Sequence, residues 1–197
     1  MKPYYDDGSC VIYHGDCRDI LPTIGSVGLV LTDPPYPGYD KGWDVPDVGA
    51  ILRGIKAKTF VVFWPVLVPS PLAEHVAEHV WHKPNGQSIY HYERILVSGV
   101  AAPAAKVYKV AAILPNYTQY AAECVDHPTQ KPIKLLRMLL GLYDADSVID
   151  PFMGSGTTLR AAKDLGRHAI GIEAEERYCE MAARRLGQEV MDFGTIA

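Results

Sequence analysis

The sequence predicts an α/β fold, a doubly wound, mostly parallel sheet with helices on both faces, and three observations predict it. Short apolar runs at 10–14, 27–32 and 147–150 are followed or closed by an aspartate, at Asp16, Asp33 and Asp150. Near-continuous apolar runs of that length read as strands buried on both sides. Residues 147–173 then read as strand, small-residue turn (Pro151 to Gly156), helix (157–165, closed by Gly166), strand (168–172) and acid (Glu173). That order, with roughly 20 residues between the acids, is half of a nucleoside-binding doubly wound unit whose second acid accepts from ribose hydroxyls. Finally, 197 residues suit one domain, 1–197, with a core of its own. Ligands of open parallel sheets sit beyond the carboxyl ends of the strands, so the acids should line one crevice.

Residues 1–9 are too polar for a secretory signal, and 10–14 form the first strand. Gly15-Asp16 closes it, with Asp16 also a plausible N-cap for a helix over 17–21. The run 27–32 is stopped by Pro34 and Pro35, which places Asp33 at the strand end. Pro34 pushes Asp33 into extended geometry, and neither proline has an N–H, so the loop offers mainly acceptors. With Tyr36 as a stacking face, this suits an exocyclic amine on a nucleobase. A Pro-Pro turn with a solvated aspartate is the plainer alternative.

Residues 37–44 are rich in glycine and aromatics, and Tyr39 or Trp43 could cover a flipped base or simply anchor the loop. A helix is expected over 48–55, a buried strand over 59–64, a proline-rich break over 65–71 and a short helix over 72–79. Residues 80–86 are expected to end a strand and 92–97 to form an antiparallel strand after it. The stretch 99–126 is alanine-rich, with Tyr108, Tyr117 and Tyr120 as its aromatic points. Residues 133–140 form an amphipathic helix with Pro132 near its first turn, and 175–186 a charged helix ending at Gly187 before a tail. In the glycine turn, Leu159 stands where a dinucleotide fingerprint would have its third glycine, so a tight strand–helix connection is the alternative reading.

Hydrophobic residues make up 48% and charged residues 21%, ordinary for a soluble domain, and no apolar run reaches the roughly 18 residues that span a bilayer. A cytoplasmic protein with no membrane partner is expected. Cys10, Cys17, Cys124 and Cys179 form no Cys-x-x-Cys pair and read as reduced thiols, with no metal site. The net charge of −4 divides unevenly: residues 83–137 carry seven Lys and Arg against three Asp and Glu, leaving an acidic remainder. A basic middle segment fits contact with nucleic-acid phosphates, Lys83 included; scattered surface lysines are the alternative.

Three motifs in one order, Asp33-Pro34-Pro35-Tyr36, then His127-Pro128-Thr129-Gln130-Lys131-Pro132, then Asp150-Pro151-Phe152-Met153-Gly154-Ser155-Gly156-Thr157-Thr158, resemble the amino-methylating DNA methyltransferases that use S-adenosylmethionine. The motif order is similar to the family's β group, and the resemblance runs from Gly15 to about Leu186. It implies a Rossmann-like methyltransferase fold with circularly permuted motifs and a catalytic loop of Asp33, Pro34, Pro35 and Tyr36. Cofactor contacts implied by the resemblance are Asp16 and Cys17 near the adenine, and Thr129 and Lys131 at the methionine carboxylate. Asp150, Phe152, Gly154, Ser155, Gly156 and Thr157 would form the cofactor loop, and Glu173 would hold the ribose. A helix N-terminus at 133 independently favours an anion. The implied partner is DNA, duplex or single-stranded, and the β group's habit of pairing implies a homodimer. Relatives often carry a sizeable target-recognition region where this chain has only 99–126, a short variable segment.

Asp before Pro-Pro-Tyr tilts the resemblance towards adenine N6, with cytosine N4 left open because either amino group satisfies the same acceptors. Carbon-5 methylation is excluded more firmly, since no Pro-Cys pair exists. The amino nitrogen is a poor nucleophile, its lone pair delocalised into the ring. Acceptance of both N–H groups at Asp33 and at the Pro34 carbonyl would favour a pyramidal nitrogen, and a carboxylate with a pKa near 4 is too weak to take a proton before attack. A protein-glutamine methyltransferase, whose Asn-Pro-Pro-Tyr follows the glycine loop, and a non-catalytic DNA-binding subunit are the readings from other classes. Labelled methyl incorporation into DNA against protein separates them.

Overall fold

The computed structural model describes residues 1–36, 46–85, 91–99, 103–112 and 130–188. Among these, nine strands form one mixed sheet: β1 (Tyr5–Asp6), β2 (Cys10–His14), β3 (Val27–Thr32), β4 (Ala57–Trp64), β5 (Ala77–His82), β6 (Tyr92–Gly99), β7 (Val107–Lys109), β8 (Ser147–Asp150) and β9 (His168–Glu173). Their order is β1-β2-β9-β8-β3-β4-β6-β5-β7. The block β2-β9-β8-β3-β4 is parallel throughout; β1 adds an antiparallel edge on β2, and β6 and β5 turn the sheet antiparallel on the other side.

Among the described residues, five α-helices accompany the sheet: α1 (Cys17–Ile20), α2 (Val48–Gly54), α3 (Ile133–Leu140), α4 (Thr157–Asp164) and α5 (Glu176–Gly187). They cover opposite faces. Leu29 and Leu31 of β3 pack with Leu135, Leu159 and Cys179, so α3, α4 and α5 share one side. Val30 and Val62 pack with Ile20, Ile51 and Leu52, so α1 and α2 take the other. Apolar residues on both faces of β3 explain why the run 27–32 lacks alternation. The doubly wound expectation is met.

The parallel block has a decisive asymmetry. From β3 the chain crosses to β4 on one side, whereas from β8 it crosses to β9 on the other, although β3 and β8 are neighbours. That reversal opens a crevice at the strand ends. The ends of β2, β3, β8 and β9 all reach it, carrying Asp16, Asp33, Asp150 and Glu173.

One element differs from expectation. Residues 72–79 form no helix; Ala77–His82 is β5, pairing with β6 in an antiparallel ladder and with β7 in a parallel one. His79 and Trp81 point into the core while Glu78 and Val80 do not, a two-residue period imposed by the neighbouring strands. Within 99–126, the described residues include β7. Tyr39, Trp43, Tyr117, Tyr120, Cys124, His127, Pro128 and Thr129 fall outside the described residues.

Candidate active site

A cavity of about 390 Å³ opens at the reversal between β3 and β8. Asp16, Cys17, Asp33, Pro34, Pro35, Tyr36, Lys131, Asp150, Phe152, Gly154, Ser155, Thr157 and Glu173 all line it. Fragments more than a hundred residues apart in sequence thus meet in one place. Gly156 does not line the cavity. It takes the left-handed conformation (φ +75°) at the N-cap of α4, where a Cβ would come within 2.6 Å of Ala182 Cβ in α5. Its glycine serves helix packing.

Asp16 lines the cavity and serves as the expected N-cap. It caps α1 by accepting from the Arg18 N–H at 2.8 Å, and the Arg18 guanidinium holds its carboxyl below the usual range. Glu173 closes the loop from the other side, one carboxylate oxygen accepting from Gly154 N–H at 2.9 Å and the other from Glu175 N–H at 2.8 Å. Burial raises its carboxyl even so. A carboxylate has about four acceptor sites, so capacity remains for a further donor.

Asp150 is 3% exposed and faces inward. It accepts from the Thr32 hydroxyl at 2.7 Å and from Phe152 N–H at 3.1 Å, joining the end of β3 to the turn after β8. Burial pushes its carboxyl up to about 6. The Thr157 hydroxyl is engaged within the protein, accepting from Arg185 at 3.0 Å.

Asp33 sits in a denser electrostatic setting than a solvated turn. Tyr36 donates to its Oδ1 at 3.3 Å, and Lys131 donates to its Oδ2 at 2.5 Å. The Tyr36 ring meets Trp64 edge-on at 5.8 Å. Burial raises the Asp33 carboxyl, against the pull of the Lys131 ammonium, which corrects the expectation of an ordinary value near 4. Lys131 therefore meets a protein carboxylate here.

Glu93, Phe63 and Trp81 escaped sequence reasoning. Glu93 lies 3.6 Å from Lys131 and 3.1 Å from Lys83, and Lys131 Nζ stands 5.1 Å and 5.8 Å from the Phe63 and Trp81 ring centroids. Glu93, an acid shortly before the apolar run 95–97, was the one available signal. Lys83, expected at a phosphate, pairs with Glu93 and sits 4.7 Å from the Trp81 ring centroid. Arg94 and Arg137 likewise pair with Glu78 and Asp164. Much of the basic middle segment is thus neutralised within the molecule.

Among the described residues, no group of His, Cys, Asp and Glu could hold a metal ion, and no helix is long and apolar enough to cross a membrane.

The profile of the DNA methylase family (N6_N4_Mtase) matches residues 72–184. Along nearly the whole chain it is similar to the type II methyltransferase M2.LlaDCHI of Lactococcus lactis subsp. cremoris, 25% identical over 253 aligned positions that cover 95% of this chain and 93% of that protein. A 65-residue stretch is 51% identical to the type II methyltransferase M2.DpnII of Streptococcus pneumoniae, covering 32% of this chain but only 24% of that protein. The structure resembles that of the M1.HpyAVI–SAM complex with a TM-score of 0.67 and 26% identity, over 91% of this chain and 100% of the other. The crevice, the acids at its strand ends and these matches agree: the chain belongs to the family of amino-methylating N6/N4 DNA methyltransferases.

Proposed function

We propose that the chain transfers the methyl group of S-adenosylmethionine to the N6 amino group of an adenine flipped out of DNA. The observation that carries this reading is the shared cavity, which joins Asp33 and Tyr36 at one end to Gly154 and Glu173 at the other. The residues fit the cofactor: Glu173 is a carboxylate at the cavity wall, an acceptor suited to ribose hydroxyls, and Phe152 and Ile172 offer apolar walls. When bound, the cofactor supplies an electrophilic methyl on a sulfonium.

The chain's own residues do the rest. Asp33 and the Pro34 carbonyl accept the two N–H groups of the target amine, which favours the pyramidal nitrogen and frees its lone pair. Tyr36 offers a ring for stacking, held edge-on by Trp64. Positioning of this kind lowers barriers by about 7 to 11 kcal/mol in aligned intramolecular reactions. A carboxylate directed at the nitrogen's developing positive charge adds preorganised stabilisation. Even raised by burial, Asp33 is far too weak a base to ionise the neutral amine, so the proton leaves after methyl transfer. Asp rather than Ser before Pro-Pro-Tyr favours adenine over cytosine N4.

Substitution Asp33→Ala removes one acceptor and leaves the Glu173 end intact. Methyl transfer to DNA should fall at least 10²-fold, about 2.7 kcal/mol of barrier, with cofactor affinity nearly unchanged. Turnover close to wild type would sink the role of Asp33, and identification of the methylated nucleoside by mass spectrometry decides adenine against cytosine.

A further inference from the structure

Lys131 is 8% exposed, immediately before α3, and its ammonium lies between two carboxylates. Its Nζ is 2.5 Å from Asp33 Oδ2 and 3.6 Å from Glu93 Oε2, while Glu93 Oε1 is 3.1 Å from Lys83 Nζ. Four side chains from four segments therefore form a row of alternating charge, Asp33, Lys131, Glu93, Lys83, with its negative end at the cavity. The Phe63 and Trp81 rings flank the ammonium.

Isolated carboxylates in such a setting take up a proton instead of remaining charged. A protonated Asp33 would carry a donor on one oxygen and lose acceptor capacity towards an amine. Lys131 opposes this. It uses one lone pair on Oδ2, Tyr36 uses one on Oδ1, and a carboxylate has about four such sites, so acceptors remain on both oxygens. Glu93 balances the lysine, so the charge facing the target nitrogen stays negative. Among the described residues its Oε2 is buried with no hydrogen-bond partner and lies 3.6 Å from the Lys131 ammonium, close enough to hold that ammonium electrostatically.

We propose that Lys131, steadied by Glu93, is a positioning residue for Asp33: it keeps the carboxylate ionised and turned so that its free lone pairs face the target amine. This rests on the reading that Asp33 accepts from that amine, and it replaces the role at the cofactor's carboxylate that the resemblance implies for Lys131. Among the described residues, the titratable groups facing Asp33 are Lys131, Glu93, Tyr36 and Asp150, and only the first two are changed in the test.

The test is single-turnover methyl transfer from labelled S-adenosylmethionine to sheared, unmethylated genomic DNA by the full chain, across pH, beside calorimetric cofactor binding. Lys131→Met should slow transfer at saturating cofactor by about 10²-fold. Its acid limb should move to higher pH, because the ammonium that favours ionised Asp33 is gone, and cofactor affinity should stay within about twofold. Lys131→Arg should recover most of the rate. Glu93→Gln leaves Lys131 on Asp33 and removes a negative neighbour, so its acid limb should move the other way, to lower pH. Opposed shifts are what a merely structural pair would not produce, and the Glu93→Gln shift tests the proposal independently if Lys131→Met is poorly folded. Acid limbs that stay in place in both variants overturn the proposal. So does a Lys131→Met that binds cofactor at least tenfold more weakly yet transfers at the wild-type rate once saturated. Full activity in Asp33→Ala would instead overturn the underlying reading of Asp33, whatever the lysine does.

Discussion

Asp150 shows how a single buried carboxyl can belong to a ligand cavity and still act mainly on the protein. It joins Thr32 to the Phe152 turn, and burial raises its carboxyl from 3.8 to about 6. The folded state therefore binds this proton more tightly than the unfolded chain. Stability from this group is present below about pH 4 and falls as pH rises to about 6, by on the order of 1 to 3 kcal/mol. An Asn at this position keeps an acceptor for Thr32 and Phe152 and cannot titrate. Urea unfolding of Asp150→Asn and wild type at about pH 4.5 and about pH 7 should show wild type losing the more stability over that interval. Parallel losses in the two proteins would place the titration elsewhere.

At the scale of elements, the junction of α4 with β9 explains the departure from a dinucleotide fingerprint. Such a fingerprint uses its third glycine to bring helix and strand close. Here Leu159 occupies that place on α4, and the close approach is supplied by Gly171 on β9, where a Cβ would lie 2.3 Å from Met153 Sδ and 2.8 and 2.9 Å from the two Leu159 methyls. Gly171→Ala should therefore destabilise the domain by about 1 to 3 kcal/mol through overpacking. For a domain of this size that lowers Tm by roughly 2 to 4 °C per kcal/mol, read by thermal melting. An unchanged Tm would mean that the Met153 side chain and α4 can both give way without cost. The segment 72–79, expected as a helix, is the counterpart. Leu72, Val76 and Val80 recur at helical spacing among good helix formers, yet β6 and β7 offer ladders on both sides of Ala77–His82. Hydrogen-bond partners that distant in sequence override local propensity.

For the whole molecule, the question is how one compact subunit grips DNA. Holding a flipped base costs a few kcal/mol of unstacking, which contacts outside the pocket must offset. The alignment with M2.LlaDCHI is longer, at 253 positions, than the 197 residues of this chain, so that relative carries segments absent here. Lys83, Arg94, Lys131 and Arg137 are engaged in ion pairs with Glu93, Glu78, Asp33 and Asp164, which leaves few basic groups of the middle segment for phosphates. A symmetric homodimer would double the available face, and twofold contacts are the commonest oligomer solution. Light scattering at micromolar protein, with and without a DNA duplex, should report a dimer in at least the sample with DNA. A fully active monomer in both would rule it out.

The sequence alone determined the doubly wound class, the boundaries of β2, β3, β8 and α3, and the convergence of Asp16, Asp33, Asp150 and Glu173. Those features are local: apolar runs set the strands, prolines and glycines end them, and parallel strands place their ends on one edge. Tertiary structure alone decided what each acid does there. That Asp150 faces Thr32, that Gly156 packs α4 on α5 outside the cavity, and that Lys131 lies between Asp33 and Glu93 all depend on side chains from segments distant in sequence. Burial and Coulomb interactions between such groups follow spatial distance, which no motif spacing encodes.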